Sequence, residues 1–181
     1  MKKADLERLA LEIREEFGLG KIDRFDPFAA ATEYGVRVVG GSELPESIAG
    51  FGYFREGPRA RLSALLTRQN GTTFIVEDDT HPPHRRRSNV SHEMAHVFLD
   101  HLDVTQLCTV EAGATRSKSP LEVDATELGA RLLLPDDAAK YWAARGWSPD
   151  GLVDQFDVSR QLAEWRWRMS GASKIALKRR R

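Results

Sequence analysis

Leu6, Leu9, Ala10, Ile13 and Phe17 recur at helical spacing through residues 3–17, with charged side chains between them. That pattern predicts an amphipathic helix, which Gly18 and Gly20 stop. Asp26-Pro27 opens a second, short helix, with Asp26 placed as its cap and Pro27 in the first turn, ending near Tyr34-Gly35. Val36–Val39 reads as a short strand that Gly40-Gly41-Ser42 breaks. From residue 48 to 77 the apolar runs shorten to strand length. They predict a small three-stranded antiparallel sheet from about Ile48–Phe54, Arg61–Thr67 and Thr72–Glu77. Glu56-Gly57-Pro58 turns the chain after the first strand, and Asn70-Gly71 closes a hairpin between the other two, because that pair tolerates the positive φ of a tight turn.

Asp78–Pro83 is a polar loop leading into a helix of roughly residues 83–100, where Val90, Met94, Val97 and Phe98 form the stripe to be buried. Residues 103–119 are small and polar and read as a surface connection. A further helix runs from Ser119-Pro120 to Leu134 and stops before Pro135. Two shorter helices follow, at about 149–156 and 159–169. Together these elements predict one α+β domain over residues 1–181. Its core is 1–135, a C-terminal helical piece spans 136–170, and 171–181 is a flexible basic tail.

Composition narrows the class. Hydrophobic residues make up 41% and charged residues 30%, the balance of a globular chain with a real core rather than a disordered one. The formal net charge is zero, so bulk charge argues for neither nucleic acid nor an anionic membrane. A single cysteine, Cys108, excludes an internal disulfide. The charged N-terminus lacks the apolar centre of a signal peptide, and no apolar run approaches membrane-spanning length. The expected setting is the cytoplasm.

The chemistry sits in Ser91-His-Glu-Met-Ala-His96. Histidines four apart on a helix are only about 40° out of register, so His92 and His96 can reach one zinc ion. Glu93 projects toward the same open side, where it can take a proton from a water polarised by the metal and return it to a leaving amine. Against this stands a polar helix face with two solvated histidines. The apolar stripe favours the metal reading, because it sets the histidines beside core rather than in open solvent.

A catalytic zinc site needs a third protein ligand. His101 lies about 140° around the helix from His96, and it misses the longer His-Glu-x-x-His-x-x-Gly-x-x-His spacing. It reads better as a helix-end histidine near the carbonyl dipole. Cys108 sits in a polar connection with no partner motif and reads as a small semi-buried residue. Glu122 opens the next helix, but Ser119-Pro-Leu-Glu122 is also a capping box, in which Glu122 would reach back to the Ser119 backbone. On pattern alone these two readings of Glu122 stand level. Asp124 and Glu127 are competing carboxylates on the opposite face of that helix.

The segments Ser91–His101 and Glu122-Val-Asp-Ala-Thr-Glu-Leu-Gly-Ala-Arg-Leu-Leu-Leu-Pro135 resemble the ImmA/IrrE family of metallopeptidases, part of the wider thermolysin-like clan. The likeness extends less specifically to Asp26–Val39, Thr73–Arg87 and Phe156–Glu164. It implies a zincin-like core, with His92, His96 and Glu122 as zinc ligands and Glu93 as general base. It also implies a protein substrate, a helix-turn-helix repressor whose cleavage releases stress or mobile-element genes. Thr126 departs from the pattern: it stands where the family more often has Asn, a residue that orients a ligand histidine. Leu128 and Gly129 replace the usual Phe-Ala, a difference of packing. Tyr53, His81, His84 and Tyr141 are candidates for stabilising the oxyanion, and each reads first as structural. The alternative is a regulatory or toxin–antitoxin-type protein that sequesters a repressor without cutting it.

After Asp157 the chain carries eight basic residues against one acid, Glu164, with Trp165 and Trp167 among them. A nucleic-acid surface is one reading. The spacing of Leu162, Trp165 and Met169 favours a helix with those three in the core and a solvated basic face, so direct DNA binding is not expected. Arg85-Arg86-Arg87 reads as an exposed first turn more simply than as a substrate patch, although cations there oppose the helix dipole.

Overall fold

The computed structural model describes residues 1–44, 62–101, 108–109 and 119–179. The chain divides into two compact units, residues 27–125 and residues 1–26 together with 126–181.

In the first unit, α2 (Pro27–Glu33; α1 is in the other unit) leads into β1 (Val36–Gly40). The strands β2 (Leu62–Gln69) and β3 (Thr72–Glu77) follow, then helix α3 (Pro83–Phe98) and the two-residue β4 (Cys108–Thr109). The sheet order is β1-β3-β2-β4. The hairpin forms as predicted: β2 runs antiparallel to β3 from Ala64↔Glu77 to Gln69↔Thr72. Its turn holds Asn70 at φ 49° and Gly71 at φ 80°, the doubly positive backbone that this residue pair tolerates.

The sheet is mixed, which corrects the expectation of an antiparallel one. β1 lies parallel to β3, in register from Val36↔Thr73 to Gly40↔Glu77. A parallel pair needs a long connection to bring the chain back to the same end. Here the connection runs from Gly40 to Thr72 and contains β2, so β3 inserts between β1 and its own hairpin partner. The strand expected at 48–54 lies outside the described residues.

Ala31, Val36, Ala64, Ile75, Val90 and Met94 form the buried core here, with Phe28, Val38, Leu66, Val97 and Phe98 packed around it. The stripe Val90/Met94/Val97 thus holds α3 against α2 and the sheet. His92 and His96, each two residues further along, lie about 200° around from Val90 and Met94 and so face the other way. The first turn of α3 is exposed at Arg85, as the sequence suggested, but Arg86 is half-buried and both arginines are bonded to the sheet. Arg86 Nε donates to Glu77 Oε1 at 2.8 Å, and Glu77 is 1% exposed. Arg85 donates to Ser63 Oγ at 3.2 Å, Asn89 donates to the Ser63 carbonyl at 3.2 Å, and Arg87 is buried. Glu77 and Ser63 therefore offset the misplaced positive charge at this helix N-terminus.

The second unit is helical. It contains α1 (Lys3–Glu16), most of α4 (Pro120–Leu133), α5 (Asp136–Ala144), α6 (Pro149–Phe156), α7 (Arg160–Met169) and α8 (Ala172–Arg179). α1, α4, α6 and α7 fall where their periodicity predicted. α5 was not predicted, although Asp136 and Asp137 favour its N-terminus and Ala138, Ala139 and Ala143 supply its buried face. α8 occupies most of the segment expected to be a flexible tail. Gly171 at φ 85° turns the chain, and Ala172 is fully buried. α7 presents Ala163, Arg166 and Trp167 to the core, while Leu162 and Trp165 are half-buried and Met169 is exposed. The buried face thus runs through 163, 166, 167 and 170 instead of 162, 165 and 169.

Three arginines of this unit are almost sealed from water. Arg14 donates to the carbonyls of Leu132 (2.6 Å) and Gly20 (2.9 Å), and Arg166 Nε donates to that of Leu134 (3.0 Å). These carbonyls lie at the C-terminal end of α4 and in the loop after α1, and carbonyls at a helix end have no partner within the helix. Arg131 is bonded to Glu127, and Arg166 to Asp136. Glu7 lies 3.3 Å from Arg131 and 3.7 Å from Arg166. Arg166 is therefore part of the core and not of a basic surface. No described helix is long and apolar enough to cross a membrane.

Candidate metal centre

α3 presents His92 and His96 on the side away from the sheet, and the first turn of α4 brings Glu122 to them. Glu122 Oε2 lies 3.3 Å from His92 Nε2, and Oε1 lies 3.2 Å from His96 Nε2. The two imidazole rings are 5.0 Å apart and nearly perpendicular. One ligand atom from each of the three residues falls within 4.8 Å of the other two. Of the two uses of Glu122 that the sequence left open, the carboxylate is turned to the histidines. Ser119 meets the helix through its backbone, its carbonyl accepting from Val123 N at 3.1 Å.

The donors suit a metal ion on two grounds. Each imidazole Nε2 stands 3.2–3.3 Å from a Glu122 oxygen, near the ligand–ligand edge of about 3.3 Å in a tetrahedral site with bonds of about 2.05 Å, and one ligand atom from each residue falls within 4.8 Å of the others. His96 Nε2, moreover, is buried and makes no hydrogen bond despite its closeness to the carboxylate. A lone pair directed at an ion leaves just such an atom. The imidazole of His92, and then that of His96, hold the Glu122 carboxyl far below the usual carboxylate range despite its partial burial. Glu122 is thus charged throughout the working range, as a ligand must be.

Glu93 is 2% exposed and adjoins His92 in the helix. A carboxylate is rarely buried to that extent without a purpose or a partner. His101 is not one of the three converging residues, but it touches one of them: His96 Nδ1 and His101 Nδ1 are 3.1 Å apart. Burial, then the neighbouring His96, push the His101 pKa down. Helical phase had placed His101 away from His96. The helix ends before that phase applies, because Asp100 takes the left-handed conformation at φ 56°.

Among the described residues, none of the remaining candidates joins the group of three. His84 is eight residues before His92 on α3, about 12 Å of helical rise. His81 precedes the helix, with Nε2 3.5 Å from Asp78. Tyr141 lies on α5 with the Arg145 guanidinium 3.4 Å from its ring centre. Tyr53 is outside the described residues. Cys108 pairs through its backbone with Ala64 in the sheet. Thr126 is half-buried on α4.

Residues 31–168 match the family model Peptidase M78, described as the IrrE N-terminal-like domain. No curated protein matches the chain.

Proposed function

The chain belongs to the IrrE N-terminal-like (M78) peptidase family, and from that premise we propose that it is a zinc-dependent endopeptidase, with His92, His96 and Glu122 as metal ligands and Glu93 as general base. The observation that carries this reading is the convergence of two imidazole nitrogens and one carboxylate from two helices at 3.2–3.3 Å. Two histidines and one glutamate, the whole of the group among the described residues, match the three-ligand set of a catalytic zinc.

Zinc, when bound there, supplies a Lewis acid and brings the pKa of a water molecule down toward ~7. The work of the chain is then positional. α3 fixes the histidines four residues apart, and its apolar stripe holds the helix against the sheet. Glu93 accepts the proton of the attacking water and passes it to the departing amine nitrogen, so one residue serves as base and then acid. Burial of Glu93 strengthens that exchange by removing competing solvent.

The substrate proposed is a protein, a helix-turn-helix transcriptional repressor whose cleavage would release stress or mobile-element genes. The family resemblance supports this. The expected experiment is cleavage of a repressor encoded beside the gene by zinc-loaded protein, seen as a new fragment by mass spectrometry. Glu93→Gln should keep its zinc and lose activity by on the order of 10²- to 10⁴-fold. Full activity in that variant sinks the mechanism. A repressor that co-purifies uncut with zinc-loaded wild type, and survives long incubation, would favour sequestration without proteolysis.

A further inference from the structure

We propose that His101 is a positioning residue for the metal site: its Nδ1 accepts a hydrogen bond from His96 Nδ1–H and so fixes the tautomer that leaves His96 Nε2 free to bind an ion. The inference rests on the metal reading above and adds a residue to it.

Two ring nitrogens 3.1 Å apart are at hydrogen-bond distance, so one carries a proton and the other a lone pair. A neutral imidazole has one of each. If His96 Nε2 gives its lone pair to a metal, the proton of His96 sits on Nδ1. His101 Nδ1 must then be the acceptor, and the proton of His101 sits on its own Nε2. Metal-binding histidines generally donate their second nitrogen to an outer acceptor, which sets ring orientation and raises basicity. In this chain a second imidazole fills that place.

The backbone is built to bring it there. α3 ends at Phe98, and His101 N donates to the carbonyl of His96 itself at 2.9 Å, while Asp100 N donates to that of Val97 at 3.1 Å. These two bonds, with Asp100 at φ 56°, make the left-handed helix stop that usually uses glycine. The left-handed conformation is unfavourable for most residues and is better tolerated by Asp, whose short polar side chain can bond locally. The turn carries His101 back toward the helix it has just left, so that backbone and ring both bond to one residue, His96. The two rings are 5.3 Å apart.

The test measures zinc affinity by competition with a chromophoric chelator and the visible spectrum of the cobalt-substituted protein, neither of which needs turnover. His101→Phe keeps a ring and removes the acceptor. His101→Asn keeps an acceptor oxygen near the Nδ1 position. The expected result is a ten- to hundred-fold loss of zinc affinity in His101→Phe with a changed cobalt spectrum, and recovery of both in His101→Asn. Wild-type affinity and spectrum in a folded His101→Phe overturn the inference. So does nitrogen NMR of the zinc-loaded wild type if His101 carries its proton on Nδ1, a measurement that decides even if His101→Phe does not fold. Wild-type protein that takes up no zinc sinks the peptidase reading and this one with it, whereas equal affinities in wild type and His101→Phe sink this one alone.

Discussion

Buried charge is organised in opposite ways in the helical unit and at the candidate metal centre of residues 27–125. In the helical unit Arg14, Arg131 and Arg166 spend their guanidinium donors on main-chain carbonyls and on Glu7, Glu127 and Asp136. Each of these three arginines meets an oxygen of the same unit, and the result is cohesion. In the unit of residues 27–125, two imidazoles and a carboxylate crowd their ligand atoms within 4.8 Å, and the buried His96 Nε2 makes no hydrogen bond. Guanidinium groups carry only donors and so bind oxygens of the protein, whereas imidazole nitrogens and a carboxylate can offer lone pairs to a cation. Residue type thus separates a structural cluster from a chemical one where burial alone does not.

Replacing a ligand should break that contrast most severely. His96→Ala or Glu122→Gln is expected to lower zinc affinity by more than the roughly 100-fold that an outer contact accounts for. Equilibrium dialysis with metal analysis reads it. Glu122→Gln that holds zinc as tightly as wild type would return Glu122 to the capping role its sequence also suits.

On the closed side the cost should appear in stability and not in metal binding. Arg166→Met leaves Asp136 and Glu7 without their shared cation and the Leu134 carbonyl without its donor. The expected loss is about 3 kcal/mol, the lower end for a broken buried pair because both carboxylates keep some water. Urea denaturation measures it, and zinc affinity of the folded protein should stay within a few-fold. The Arg86–Glu77 pair of the other unit should behave in the same way, and Arg86→Met should cost less, about 2 kcal/mol. Glu77 is fully buried, but the Arg86 side chain is 35% exposed and its pairing correspondingly screened.

The contrast also explains what could be read in advance. The helix of His92 and His96 was legible because metal ligation and helix periodicity impose the same spacing on adjacent residues. The hairpin was legible because Asn70-Gly71 is a local requirement. The pairing of β1 with β3 was not, since it joins residues 37 apart and no local signal encodes it. Arg166 was misread for a related reason. Its charge looks like surface until Leu134 and Asp136, 32 and 30 residues away, supply partners. His101 was set aside on helical phase, and that argument held only as far as the helix did. Asp100 is a weaker stop signal than glycine, so the turn that redirects His101 was hidden.

The smallest effect expected lies inside the closed network, where two glutamates should respond to acid with opposite signs. Burial raises the Glu7 pKa above its ordinary 4.5, and Asp136 adds to the shift. Burial also pushes Glu127 up, but the hydrogen bond and charge of Arg131, aided by Lys3, outweigh it and leave Glu127 below 4.5. A depressed carboxyl stabilises the fold above its unfolded pKa, and that contribution is lost as pH falls through the folded value. A raised one stabilises below its unfolded pKa, and that contribution is lost as pH rises through the folded value. Glu127→Gln should therefore cost stability at pH 7 and progressively less as pH falls below 4.5. Glu7→Gln, which can still accept from Asp136 N, should be tolerated better at pH 7 than at pH 4. Urea midpoints across pH 3–7 give both slopes. Slopes of the same sign would mean that the network titrates as one unit and that Arg131 and Arg166 do not divide its two glutamates.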